Sequence, residues 1–132
     1  MGAALYNFNI EQGSSFTLAL VYKNNEGIPI NLTGWCARLT WKTNNATEIF
    51  TTETTNSNYK FDIDEPNGKI TLQFPASVTN NFTFSNVKYD LELQSPTDLY
   101  SGGGKYTTRI LYGTITLIKR FSQTNTVLEC NV

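Results

Sequence analysis

The chain has 132 residues, 39% hydrophobic and 13% aromatic but only 16% charged, and eleven acidic residues against ten basic ones leave a net charge of −1. One domain with one core is expected over residues 1–132, because a chain of this length buries roughly two-thirds of its surface on folding. No basic run is present to neutralise a series of phosphates, no apolar run approaches the roughly 20 residues of a bilayer span, and the start shows no signal-peptide pattern, so nucleic acid and membrane are not expected partners.

In chain order, residues 2–10 carry Leu5, Tyr6 and Phe8 ahead of Ile10. They read as a first edge strand, with an arm docking on a neighbouring subunit as the alternative. After the turn Glu11-Gln12-Gly13-Ser14, the run from Ser15 to Lys23 is apolar on both faces and predicts a central strand. Asn24-Asn25-Glu26-Gly27 is a tight turn, since Asn and Gly tolerate positive φ at little cost. Pro29 keeps the following connection to Gly34 out of a sheet interior, while Ile30 and Leu32 cap the core. From Trp35 to Lys42 the pattern predicts a strand with Trp35, Ala37, Leu39 and Trp41 on the dry face.

Residues 43–58 are the least apolar part of the chain and read as an exposed loop around a short edge strand at Ile49-Phe50. Tyr59–Ile63 and Lys69–Phe74 form a hairpin across Asp64-Glu65-Pro66-Asn67-Gly68. Residues 75–82 give one or two helical turns that begin at Pro75, with Val78 and Phe82 facing inward. The strongest signal is Val87 to Phe121, two alternating arms of a long antiparallel hairpin. Val87, Tyr89, Leu91 and Leu93 share one face. Ile110, Tyr112, Ile115 and Leu117 make an apolar row past Gly113, where the missing Cβ predicts a bulge or a close backbone approach. The tip from Asp98 to Tyr106 is a candidate contact surface, with Tyr100, Gly102, Gly103, Gly104 and Tyr106 as its partner-binding residues. The N-terminal segment 1–10 and the tail 122–132 are candidate docking arms around a core at about 8–121.

Little chemistry is available. The chain has no histidine, which removes the usual general base, nucleophile activator and transition-metal ligand together. Asp62 and Asp64 share a strand face and present oxygens to a hard cation, but Asp-Glu-Pro-Asn-Gly is also ordinary turn chemistry. Ser101-Gly102-Gly103-Gly104-Lys105 lacks the spacing, the following Ser or Thr and the helix of a phosphate loop. Cys36 and Cys130 are either two free thiols or a disulfide that locks the tail, which requires a Cα separation below about 7 Å. No catalytic residue, metal site or cofactor is expected, and the chain reads as non-enzymatic.

About seven or eight strands at spacings of roughly ten residues, with turn signals between them, predict an all-β, immunoglobulin-like antiparallel β-sandwich. A small barrel is the structural alternative. Five stretches in this order carry a family likeness. They are Phe8 to Phe16, Gly27 to Trp35 with Leu32-Thr33-Gly34 ahead of a strand, Gly68-Lys69-Ile70-Thr71-Leu72, Tyr89-Asp90-Leu91-Glu92-Leu93 and Gly113-Thr114-Ile115-Thr116-Leu117. The chain resembles small virion structural proteins of tailed bacteriophages, including the N-terminal domain of baseplate upper proteins and related tail or head accessory proteins. That resemblance, over residues 8–121, implies an assembly module in a virion, put together in the bacterial host cytoplasm. Its expected partners are other virion proteins in multiple copies, at the tail, neck, baseplate or capsid. The longer 43–58 insert and Gly102–Gly104 tip, with no C-terminal domain following, favour a small stand-alone component. A host-surface carbohydrate-binding sandwich, with a host glycan met by Tyr100 and Tyr106, is the functional alternative.

Overall fold

The fold is built on one long hairpin, β8 (Asn86–Asp98) and β9 (Lys105–Ile118), in a computed structural model that describes residues 3–53, 57–98 and 104–121. On its two sides the chain adds the other strands of the larger sheet. β4 (Cys36–Lys42) pairs antiparallel with β8, and β5 (Thr47–Thr51) pairs with β4. On the opposite side, β1 (Ala4–Leu5) and β2 (Phe8–Glu11) both pair with β9 in parallel. The smaller sheet runs β3 (Phe16–Val21), β7 (Lys69–Phe74), β6 (Lys60–Asp64). The chain is therefore all-β, and its two sheets make an immunoglobulin-like sandwich. Nine strands form among the described residues, because the expected first edge strand is two short ones.

The interior follows from strict alternation. Ala37, Leu39 and Trp41 from β4, Val87, Tyr89, Leu91 and Leu93 from β8, and Leu18, Ile70, Leu72 and Phe74 from the smaller sheet are all buried. Trp41 is buried, with ring centroids of Phe50, Phe82 and Phe84 at 4.7, 5.5 and 5.4 Å. The helix α1 (Ala76–Thr79) starts after Pro75 as expected, and Val78 and Phe82 pack on the core. The Thr79 hydroxyl fixes it to the turn between β2 and β3 by donating to Ser14 O at 2.8 Å and accepting from Gly13 N at 3.1 Å.

The structure corrects the sequence reading in three places. β3 is not central: among the described residues it pairs with β7 and no other strand, and Thr17, Ala19 and Val21 are exposed on its outer face. Small and β-branched residues there satisfy a half-exposed strand as well as a buried one. In β9 the ladder slips between Leu91 opposite Leu111 and Glu92 opposite Arg109, which makes Ile110 the extra residue of a bulge. The expected row is thereby broken, so Ile110 and Ile115 stay buried while Tyr112 faces outward, 37% exposed. A second slip, between Gln94 and Asp98, takes up Pro96, which has no N–H to give the ladder. The paired arms thus reach Asp98 and Lys105, further than expected.

Candidate interaction surfaces

The N-terminal segment adds to the chain's own sheet. β1 and β2 keep one register along β9, from Ala4 opposite Leu111 to Glu11 opposite Ile118. The join between them, Tyr6-Asn7, is held by three separate hydrogen bonds. Tyr6 N donates to Tyr112 O at 2.9 Å, the buried Tyr89 hydroxyl donates to Tyr6 O at 2.6 Å, and Thr114 N donates to Asn7 Oδ1 at 2.8 Å. Gly113 lies directly beneath, where a Cβ would strike Tyr6 O and sit 2.7 Å from Asn7 Oδ1. Gly113 is the close backbone approach of the two expected alternatives, not the bulge. Burial pushes the Tyr89 phenol up to about 12.

This seam sorts the N-terminal residues expected to meet a partner. Phe8 belongs to the core, its ring 5.3 Å from Phe16 and 5.0 Å from Tyr89. Leu5 and Tyr6 remain open, 62% and 47% exposed. At the hairpin tip, Gly104 is exposed, whereas Tyr106 is half-buried, edge-on to Trp35 at 6.2 Å, with its N–H donated to Ser95 Oγ at 2.9 Å. Tyr106 is thus a packing residue and not a free stacking face, because Trp35 at the start of β4 lies within its reach. Tyr100, Gly102, Gly103 and Cys130 lie outside the described residues.

The outer face of the larger sheet holds a feature that the sequence pattern does not reveal. Its strands bring Lys42 and Lys88 directly opposite each other, with Thr114 beyond and the row Thr40, Asp90, Tyr112, Leu5 beside them. Like charges in directly opposed positions repel. Neither lysine forms an ion pair among the described residues. Glu92, one row further on, is committed to Arg38 at 2.8 Å. Arg109 instead lies over the Tyr112 ring, 4.9 Å from its centre. These groups line a hollow of about 420 Å³ rimmed by Leu5 and Tyr112, with one negative charge, Asp90, against three positive ones.

Elsewhere the polar groups serve the fold or stand apart. Glu65 Oε2 accepts from Gly34 N at 2.7 Å, and Asp64 Oδ2 accepts from Asn67 Nδ2 at 3.0 Å. Asp62 and Asp64 do share the outer face of β6, as expected, and both are exposed. A hollow of about 700 Å³ beside β6 is lined by Phe16, Tyr59, Lys60, Asp62 and Gln73. Burial, then the adjacent Glu53 carboxylate, pushes the Cys36 thiol up and so disfavours its reactive thiolate. Among the described residues no three His, Cys, Asp or Glu side chains converge as a metal site would require. No protein-family model and no curated protein matches the chain.

Proposed function

We propose that this chain is a non-enzymatic structural component of a tailed-bacteriophage virion, binding neighbouring tail, neck, baseplate or capsid proteins in multiple copies. The observation that carries this reading is an immunoglobulin-like sandwich whose outward side chains offer contact surface rather than a reaction centre. Leu5 and Tyr112 form an exposed apolar rim to a cationic hollow. Strand edges add to it. In β5 the backbone groups of Thr47 and Ile49 point away from β4, since Ala37 O accepts from Thr52 N and bonding alternates along the pair. Such an edge accepts a strand from another chain. The sequence resemblance agrees with this use of the fold, and the lack of histidine removes the commonest acid-base chemistry.

Mass spectrometry of purified particles of the phage that encodes the chain tests the proposal. The protein is expected in stoichiometric, multi-copy amounts, and particles of full composition that lack it would overturn the reading. A glycan array carried out alongside is expected to stay blank; saturable binding to a host sugar would replace this reading with the carbohydrate-binding one.

A further inference from the structure

The cationic hollow on the larger sheet has a complement elsewhere on the same chain. At the far end of the smaller sheet β6 runs into the turn Asp64-Glu65-Pro66-Asn67, in which all four residues are exposed. Asp62 and Asp64 project on one face just before it. Asp62 has a distant contact with Lys60 at 3.7 Å, where both side chains are well exposed, and the Asp64 carboxylate is bonded among the described residues within its own turn, to Asn67. An exposed turn bearing two carboxylates and a proline matches a hollow bearing Lys42, Lys88 and Arg109 beside Leu5 and Tyr112.

We propose that the occupant of the hollow is the 62–67 turn of a second copy of this chain, its Asp62 and Asp64 carboxylates bridging the opposed Lys42 and Lys88. Hollow and turn lie on different sheets of the sandwich, so the contact is head-to-tail, and each copy keeps one unused half for the next. The charges explain why the lysines are left opposed in the isolated chain: an incoming carboxylate between them turns a repulsion into two charge-assisted hydrogen bonds. Pro66 and the Leu5 and Tyr112 side chains supply the apolar part of the contact. The inference rests on the virion reading only for the setting of the contact; self-association in solution is measured separately from presence in particles.

Sedimentation velocity on the full chain and two neutralised variants tests it. Wild type is expected to form concentration-dependent oligomers that weaken by about tenfold or more between roughly 0.05 and 0.5 M salt. Lys42→Gln/Lys88→Gln and Asp62→Asn/Asp64→Asn, each retaining the wild-type melting temperature, are each expected to be monomeric alone. Mixed, they are expected to give a one-to-one dimer and nothing larger, since the intact turn of the first fits only the intact hollow of the second. Wild type that stays monomeric at low salt, a variant that still self-associates, or a mixture that gives no dimer would each overturn the proposal.

Discussion

Two neighbouring regions of the larger sheet share Leu5 and Tyr112 yet are built in opposite ways. At the seam between the N-terminal strands and β9, polar groups find partners within the chain: Tyr6 O takes the Tyr89 hydroxyl, and Asn7 Oδ1 takes the Thr114 N–H. In the hollow alongside, Lys42 faces Lys88 and neither is matched by an acid among the described residues. A buried carbonyl without a donor costs about 1–3 kcal/mol, so the seam is under tight structural constraint. Exposed opposed lysines cost a few tenths to about 1 kcal/mol, a strain the fold tolerates and a partner relieves. Matched groups thus mark where the chain holds itself together, and the unmatched ones are where the proposed second copy would bind.

Four variants sharpen that contrast, the largest effect first. Gly113→Val drives a side chain into Tyr6 O and Asn7 Oδ1, which cannot move without releasing β1. It is expected to cost about 3 kcal/mol in urea unfolding and to speed amide exchange through residues 4–11. Tyr89→Phe leaves Tyr6 O without its donor and is expected to cost about 1–2 kcal/mol. It also alters the alkaline limb. The folded phenol is raised from its ordinary value of 10.0 to about 12, so its stabilisation is complete below pH 10 and is lost as pH rises through 12. Tyr22 is raised as well, by burial, so the Tyr89→Phe curve is expected to keep part of the limb and lose the rest. Asn7→Ala removes one side-chain acceptor at an exposed position and is expected to cost about 1 kcal/mol. Smallest, Lys42→Gln/Lys88→Gln is expected to change stability by no more than about 0.5 kcal/mol, with any change in the stabilising direction.

Much of the sandwich was legible because period-two alternation is local. The dry faces of β4 and β8, the hairpin at Asp64 to Gly68 and the helical turn after Pro75 each follow from a few adjacent residues. What escaped is long-range or parity-breaking. Nothing in Thr-Arg-Ile-Leu-Tyr marks the bulge at Ile110, and counting by twos through it turns Tyr112 inward when it faces out. Parallel addition of residues 4–11 to β9 joins segments 107 positions apart, as in the Asn7 to Thr114 bond. The same separation hid the candidate site. Lys42 and Lys88 each read as an ordinary wet-face residue until the β4–β8 register set them opposite one another. A signal was present, since each is the immediate neighbour of a buried aromatic, Lys42 after Trp41 and Lys88 before Tyr89, but only the register shows that those aromatics are themselves a pair. At the hairpin tip, Tyr106 looked available because its partner Trp35 is far away in sequence.

The division of the sheet into a self-satisfied seam and a partner-seeking hollow is tested most directly by the unfolding free energy of Lys42→Gln/Lys88→Gln at low salt and low protein concentration. The account predicts stability equal to or slightly above wild type, because the change removes a repulsion and breaks no ion pair among the described residues. A loss of more than about 1 kcal/mol would contradict it, since that is what a pair of lysines serving the fold, rather than a second molecule, would cost.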